Sequence, residues 1–401
     1  MNTLAVDPPP AGATASTRWA LLAGNFAIGC GVMVTAGSLN DLVRSLQVSV
    51  AVGGQLISVA AVVMALGAPL LAATIGGWDR RWLLTLALLW YAAGHALSAL
   101  MPSFETLLPM RALCMLGAAL FTPQAAAAIN VMVPVAERGR AITFVFLGWS
   151  LASVIGMPLH SYIGEAFGWR WAFALVALLS VGAAWWVWRS LPAGVRPAPM
   201  SLAQWGGVFT HPLLMGMVLV TALSAAGQFT VFSYFAPYYR QVLGADAAGV
   251  SFLFLWFGVF GLLGNVLLQR WVDRVGAAQC VSLALGLVLA SLLLWPLAGG
   301  VLMMALVMLP WGLGCFSSNS AQQARMGMAA PVLAPALMAL NTSAMYLGQA
   351  VGAAGGGAML STGGFASLHW PATAWVLAAI LLSLWLTRRM AASASGVTPA
   401  I

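Results

Sequence analysis

The chain has 401 residues, of which 62% are hydrophobic and 6% charged, with a mean hydropathy of +0.96. A water-soluble domain carries about a quarter of its residues as charges, so this composition excludes a soluble globular protein and implies a chain dissolved in lipid. The net charge of +8 comes from arginine alone, and the arginines fall in short turns between apolar runs, which excludes a nucleic-acid footprint.

Residues 1–18, rich in Pro, Ala, Thr and Ser, are expected to form a disordered cytoplasmic tail. The apolar run from Trp19 has no short hydrophobic core with a clear small-residue cleavage site, so it reads as an uncleaved first span. A bilayer core of about 30 Å takes roughly 20 apolar residues per helix. On that length about twelve spans are expected. The first six fall near 19–39, 52–75, 82–101, 107–131, 141–165 and 171–189. The next six fall near 212–236, 250–269, 279–298, 301–324, 335–359 and 370–387. Between them, 190–211 carries Pro192, Pro197, Pro199, Gln204 and His211 and is the substantial internal linker. The predicted architecture is therefore an all-α membrane protein of two six-helix bundles, 19–189 and 212–388, closed by a second cytoplasmic tail over 389–401.

Charge sets the orientation. With the N-terminus inside, twelve arginines lie on the cytoplasmic side: 18, 80, 81, 138, 140, 189, 196, 270, 274, 325, 388 and 389. Arg44, Arg170 and Arg240 lie outside, and Arg111 falls within a span. This positive-inside bias predicts that both termini are cytoplasmic. Cys30, Cys114, Cys280 and Cys315 are spread one per apolar segment, with no metal or redox spacing, and read as buried apolar side chains. The halves also echo each other. GGWDRRW at 76–82 and RWVDRVG at 270–276 each place an Asp-Arg pair at the cytoplasmic end of the second helix of a half. Repeats of this kind build transporters whose solute site lies between the halves near the midplane.

Six segments, in order, carry a resemblance over essentially the whole chain after the tail. They are SLNDLVRSLQVS (38–49), RALCMLG (111–117), ERGRA (137–141), GWSLASVIGMPLHSYIGEAFGWRWAF (148–173), GNVLLQRWVDRVG (264–276) and NTSAMYLGQAVGAAGGG (341–357). Together they resemble the major facilitator superfamily in its drug- and sugar-efflux branch, the arabinose-efflux-permease-like proteins. The fifth-span segment is similar to that branch's antiporter motif, with Gly148, Gly156, Pro158 and Gly164. The resemblance implies a small-solute transporter coupled to protons, functional as a monomer, in the bacterial inner membrane, with no cofactor beyond the proton gradient and no bound metal. It departs from the family pattern at three places. The first-half loop GGWDRR lacks the glycine before the distal basic pair, His160 stands where a small residue is usual, and no carboxylate lies deep in span 1.

Arg111 is the sharpest single signal. A charge inside a span costs from about 2.5 kcal/mol upward and usually faces the bundle interior or a watery cavity; the other reading is an arginine that snorkels to the nearby outer surface. Proton coupling wants a titratable group. Asp41, at the end of span 1 and within expected reach of Arg111, and His95 and His160, inside spans 3 and 5, are the candidates; each also reads as a hydrogen-bonded structural group. Asp79–Arg80 and Asp273–Arg274 are expected to gate the cytoplasmic side through modest, partly hydrated ion pairs, or to act as topogenic charge alone. Gly148, Gly156 and Pro158 give span 5 a smooth face that, by the resemblance, seals the halves. Gly348, Gly352 and Gly356 share one face of span 11 and let it approach a neighbour closely.

The expected solute cavity takes Asn25, Gln55, Arg111, Gln124 and His160 from the first half, and Gln228, Tyr234, Trp256, Asn319, Gln322 and Asn341 from the second. Amides and aromatics suit an uncharged, hydroxylated or lipophilic solute, whereas a dicarboxylate or phosphate recruits several arginines. The expected activity is export of drug-like amphiphiles or sugars by proton antiport, with an importer or passive facilitator of a neutral solute as the alternative. No paired carboxylates, His cluster or phosphate-cradling loop supports an enzyme.

Overall fold

The computed structural model describes residues 13–75, 77–134, 138–196, 202–330 and 333–394. Expectations for 1–12 and 395–401 of the tails, for 197–201 of the linker and for Glu137 lie outside these residues, as does the side chain of Asp273.

Every regular element among the described residues is helical. Helix α1 (Ala15–Gly37) starts inside the segment expected to be tail, because the Thr14 hydroxyl caps it by accepting the Thr17 N–H at 3.2 Å. Thr17 Oγ1 in turn donates to Ser190 O at 2.7 Å, tying the start of α1 to the end of the first half. The short α2 (Leu39–Ser45) follows, then α3 (Val50–Ile75), α4 (Arg80–Leu100) and α5 (Phe104–Met132). The fifth span is a composite of α6 (Arg138–Leu151), a π-helical turn over Ala152–Gly156 and α7 (Met157–Phe167). Pro158 has no N–H to return to the preceding turn, and a widened turn accommodates that loss. Helix α8 (Trp169–Ser190) completes the first half.

The linker is not wholly irregular, since α9 (Leu202–Phe209) lies within it. The second half comprises α10 (Pro212–Phe232), α11 (Phe235–Gln241), α12 (Ala247–Val275), α13 (Ala277–Leu294), α14 (Val301–Ala329), α15 (Ala334–Gly363) and α16 (His369–Ala394). Among the described residues, 11 helices are long and apolar enough to cross a membrane, where twelve spans were expected. The long helix left over is α15, whose 30 residues hold Asn341, Gln349 and a run of glycines in place of aliphatic side chains. Outward faces carry large apolar groups, such as Leu302 at 78% and Leu100 at 74% exposure, as a lipid-facing surface requires.

In the first half α1 packs on α6 and α8, α4 on α5 and α8, and α3 on α5. In the second, α10 packs on α15 and α16, α13 on α14 and α16, and α12 on α14. The α10–α15 contact is the tightest kind available to two helices. Gly348, Gly352 and Gly356 lie directly against the carbonyl oxygens of Ala222, Ala226 and Thr230, leaving no room for a side chain.

The two halves meet along α3–α15 and along α7–α12. Gly258 of α12 rests on the backbone of the π-helical turn, and Ser251 Oγ donates to Pro158 O at 3.3 Å. At the end of the molecule that carries α2 and α11, Asn40 Nδ2 donates to Ala236 O at 3.0 Å. There too the Tyr234 hydroxyl donates to Ala353 O at 2.6 Å, wedged between Gly54 of α3 and Gly357 of α15.

Candidate functional site

A cavity of about 260 Å³ lies between the halves, lined from the first by α1, α3, α5 and α6 and from the second by α10 and α12–α15. Ligand pockets usually run from about 300 to 1,000 Å³, so this one suits a single small organic molecule. None of its lining residues is charged.

The second half supplies a polar wall. Thr221 Oγ1 donates to Asn341 Oδ1 at 2.6 Å, and Asn341 Nδ2 donates to Asn319 Oδ1 at 3.1 Å, so α10, α15 and α14 are strung on one chain of hydrogen bonds. Asn319 Nδ2 ends on the sulfur of Met345 at 3.8 Å, a weak acceptor that leaves this donor available. One turn along α14, Gln322 Nε2 donates to Met217 O at 2.7 Å, and its Oε1 is buried with no partner. The Met217 carbonyl fixes which end of that amide is the acceptor, because a flipped amide would set oxygen against oxygen. Gln228 is held by Ser224 Oγ at 3.1 Å and by the Trp311 indole N–H at 3.1 Å. The facing surface is mostly apolar and aromatic, with Val32 and Met33 from α1 and Phe146 and Trp149 from α6, and adds the hydroxyls of Thr122 and Ser150.

Of the expected cavity residues, Gln228, Asn319, Gln322 and Asn341 line this space and the other seven do not. Asn25 lies one layer behind the wall. It accepts from Thr122 Oγ1 at 2.8 Å and donates to Val145 O at 3.2 Å, and Thr122 itself accepts the Trp149 N–H at 3.4 Å. Tyr234 is in the contact between the halves described above, and Trp256 donates to Ala305 O at 2.8 Å within the second half. Gln124 is buried away from the cavity, and Gln55 is exposed on α3. The lining also contains Thr221, Ser224, Trp149, Tyr346, Gln323 and Gln349, which are not among the residues expected from the sequence. A signal for them exists in the sequence. On α14 five of the six lining positions, 315, 318, 319, 322 and 323, follow the i, i+3, i+4, i+7, i+8 rhythm of one helix face.

Arg111 does not snorkel. It is 1% exposed, and its guanidinium donates to Gly31 O at 2.8 Å, Val32 O at 3.2 Å and His95 Nε2 at 3.2 Å. His95 Nδ1 bonds Tyr91 O at 2.9 Å, so Nε2 is the acceptor towards the arginine, a role the neutral ring fills. This cluster knits α1, α4 and α5 together behind the cavity and not on its surface.

Asp41, expected near Arg111, is engaged elsewhere. One oxygen takes Arg44 Nη2 at 2.8 Å and the other takes the Trp169 N–H at 2.8 Å, capping α8. The same carboxylate holds the exposed Arg44 guanidinium above its ordinary pKa. His160 is fully buried, and neither ring nitrogen has a hydrogen-bond partner.

The expected gating residues are distributed differently from the expectation. Asp79 accepts the Arg81 N–H at 2.9 Å and the Gly194 N–H, so it caps α4 and clasps the linker. Arg80, 2% exposed, reaches Trp78 O at 2.8 Å, while Arg274 is exposed at the end of α12. Gly148 and Gly156 press on α1 of their own half, at Asn25 and Cys30. Of the span 5 residues named for the seal, Pro158 reaches the other half through its carbonyl, which accepts from Ser251 Oγ.

Two helical halves around an uncharged cavity define a membrane solute carrier, and sequence comparison agrees. The Major Facilitator Superfamily sequence model matches residues 21–353 and again 219–400. The chain belongs to that superfamily. It is 30% identical over 344 residues to the inner membrane transport protein YdhP of Escherichia coli K12, covering 86% of this chain and 88% of the relative. It is 28% identical over 317 residues to a probable sugar efflux transporter of Pasteurella multocida, covering 79% and 78%. Among solved structures, a D-xylose–proton symporter superposes with a TM-score of 0.72 at 16% identity, over 92% of this chain and 96% of that one. A bacterial homologue of the human lysosomal transporter Spinster, inward-facing and occupied, gives 0.67 at 16%, again over 92% and 96%. These two likenesses show the fold.

Proposed function

We propose that this chain exports small, uncharged organic solutes, drug-like amphiphiles or sugars, across the bacterial inner membrane by alternating access in exchange for protons. The observation that carries the reading is the cavity itself, with the linked amides of α10, α14 and α15 on one side, aromatic side chains on the other and no charge between. Hydroxyl groups of a solute have the weakly held Asn319 amide to accept from, while its apolar face meets Trp149.

In this reading α15 is span 11 and completes the twelve, its polar face turned to the cavity and shielded from lipid, and the arginine bias puts both termini and the linker in the cytoplasm. The halves rock about the cavity, and one chain suffices because it contains both. Asp41, His95 and His160 are the proposed proton-coupling groups, with His160 the one whose ring nitrogens are uncommitted. Asp79, Arg80, Asp273 and Arg274 are the proposed cytoplasmic gate. The proton gradient supplies the energy without a cofactor.

The test is transport of a mixed panel of dyes, antibiotics and sugars in proteoliposomes under an imposed pH gradient. Gradient-driven movement opposite to proton flow is expected, and movement indifferent to the gradient would sink the antiport. Asn341→Leu is expected to raise KM for the transported solute about fivefold or more, because it cuts the Thr221–Asn341–Asn319 chain at a cost of about 1 kcal/mol per hydrogen bond. An unchanged KM would remove the polar wall from solute binding. Import or passive facilitation is the second reading. It is favoured by the lining's lack of any carboxylate that could exchange a proton against a solute.

A further inference from the structure

A second concavity lies well away from the solute cavity, where the turn before α4 meets the linker. It measures about 500 Å³ and is lined by Gly77, Trp78, Asp79, Trp82, Leu86 and Arg196. Trp78 and Trp82 are 54% and 56% exposed, and Leu86, one helical turn beyond Trp82, is 47% exposed. Indoles followed by an aliphatic side chain match the change from headgroup to hydrocarbon at a membrane surface.

The basic side chains here are positioned. Arg80 N donates to Val195 O at 3.0 Å and Gly194 N donates to Asp79, which holds the chain just before Arg196 against the groove. Arg81 lies with Cζ 4.3 Å from the centroid of the Trp188 ring, and Trp188 packs edge-on against Trp82 with centroids 4.5 Å apart. The Arg81 Nε is buried and has no hydrogen-bond partner. Asp79 is the one acid in the lining, and its two oxygens are taken by the N–H groups of Arg81 and Gly194. Arg196 therefore lines the groove, Arg81 stands next to its Trp82 wall against Trp188, and no acidic side chain is paired to either guanidinium.

We propose that this groove seats the phosphodiester of an anionic phospholipid. Arg196 and Arg81 hold the phosphate, for which the guanidinium fork is suited, and Trp82 and Leu86 carry the glycerol and the first part of the acyl chains. Basic pockets at the membrane surface take anionic headgroups in this way. The apolar wall distinguishes a lipid from free phosphate, which gains nothing from Trp82 and Leu86. Because Arg196 belongs to the linker between the halves, the lipid fastens that linker to the first half. This inference is independent of the solute reading.

The experiment is native mass spectrometry of the full-length protein released from micelles containing equal amounts of phosphatidylglycerol and phosphatidylcholine. Phosphatidylglycerol is expected to be retained in preference, and Arg81→Gln and Arg196→Gln are each expected to lower its retention about fivefold. Arg240→Gln, at the end that carries α2 and α11, is expected to leave retention unchanged, and millimolar inorganic phosphate is expected not to displace the lipid. Equal retention of the two lipids, wild-type retention by the double variant, equal loss in the Arg240 variant, or displacement by phosphate would each overturn the site.

Discussion

Replacing Arg111 by methionine is expected to abolish solute transport and to lower stability by about 3 kcal/mol, read as the shift in thermal unfolding of the purified protein. The guanidinium is buried and satisfies two carbonyls of α1 and the imidazole of α4 from its place on α5. Methionine has similar length and no donor, so Gly31 O, Val32 O and His95 Nε2 lose it; hydrogen bonds to a charged group contribute about 1.5–3 kcal/mol each, and relief of the desolvation cost of the buried guanidinium offsets part of that loss. Arg111→Lys keeps the charge but presents a point donor where a planar fork spans three acceptors, so partial recovery is expected. If the methionine variant unfolds like wild type and still transports, the cluster has neither role. If it folds normally but moves solute without responding to the pH gradient, the cluster serves coupling and not architecture.

Gly258→Val is expected to shift the protein away from the arrangement seen here. A Cβ at this position would lie 2.8 Å from both Ser153 O and Val154 Cα, which are backbone atoms that no rotamer change can move aside. Because Gly258 is in one half and the π-helical turn in the other, the strain is relieved by parting the halves and not by repacking within one. Overpacking of this kind costs about 1–3 kcal/mol, which corresponds to a population change of about 5- to 150-fold. Spin labels on Leu159 and Leu255, both exposed, would report it as a longer distance population. An unaltered distance distribution would show that α7 and α12 slide or tilt to absorb the methyl groups. Gly148→Val serves as the contrast. It strains α6 against α1 inside one half and is expected to reduce stability without changing the distance between halves.

The membrane class and the positions of nearly all the helices were legible in the sequence, because burial in lipid requires long apolar runs and the turns between them collect the charge. The order of the motifs gave the superfamily, and the glycine spacing on α15 gave its close contact with a neighbour. Two features departed from simple hydropathy for physical reasons. Helix α15 is too polar to count as a span on composition, since its Asn341, Tyr346 and Gln349 line a cavity. Helix α1 begins before its apolar run, because a threonine cap outweighs the change in hydropathy.

Which polar groups share a space was decided by the tertiary structure. Arg111 and His160 stood with Asn319 and Asn341 among the expected cavity residues, because each is a polar side chain within an apolar run. Rotation of a helix about its axis, set by packing, turned the first group towards neighbouring helices and the second towards the central space. Asp41 and Asp79 likewise stand beside arginines in the chain, yet their carboxylates cap helices and hold backbone N–H groups at fixed distances. Composition and period by themselves determined that this protein lives in a membrane as packed helices. The partner of each polar side chain depended on helix rotation and on contacts between residues more than a hundred positions apart, such as Thr221 and Asn341 at a separation of 120, which no local pattern encodes.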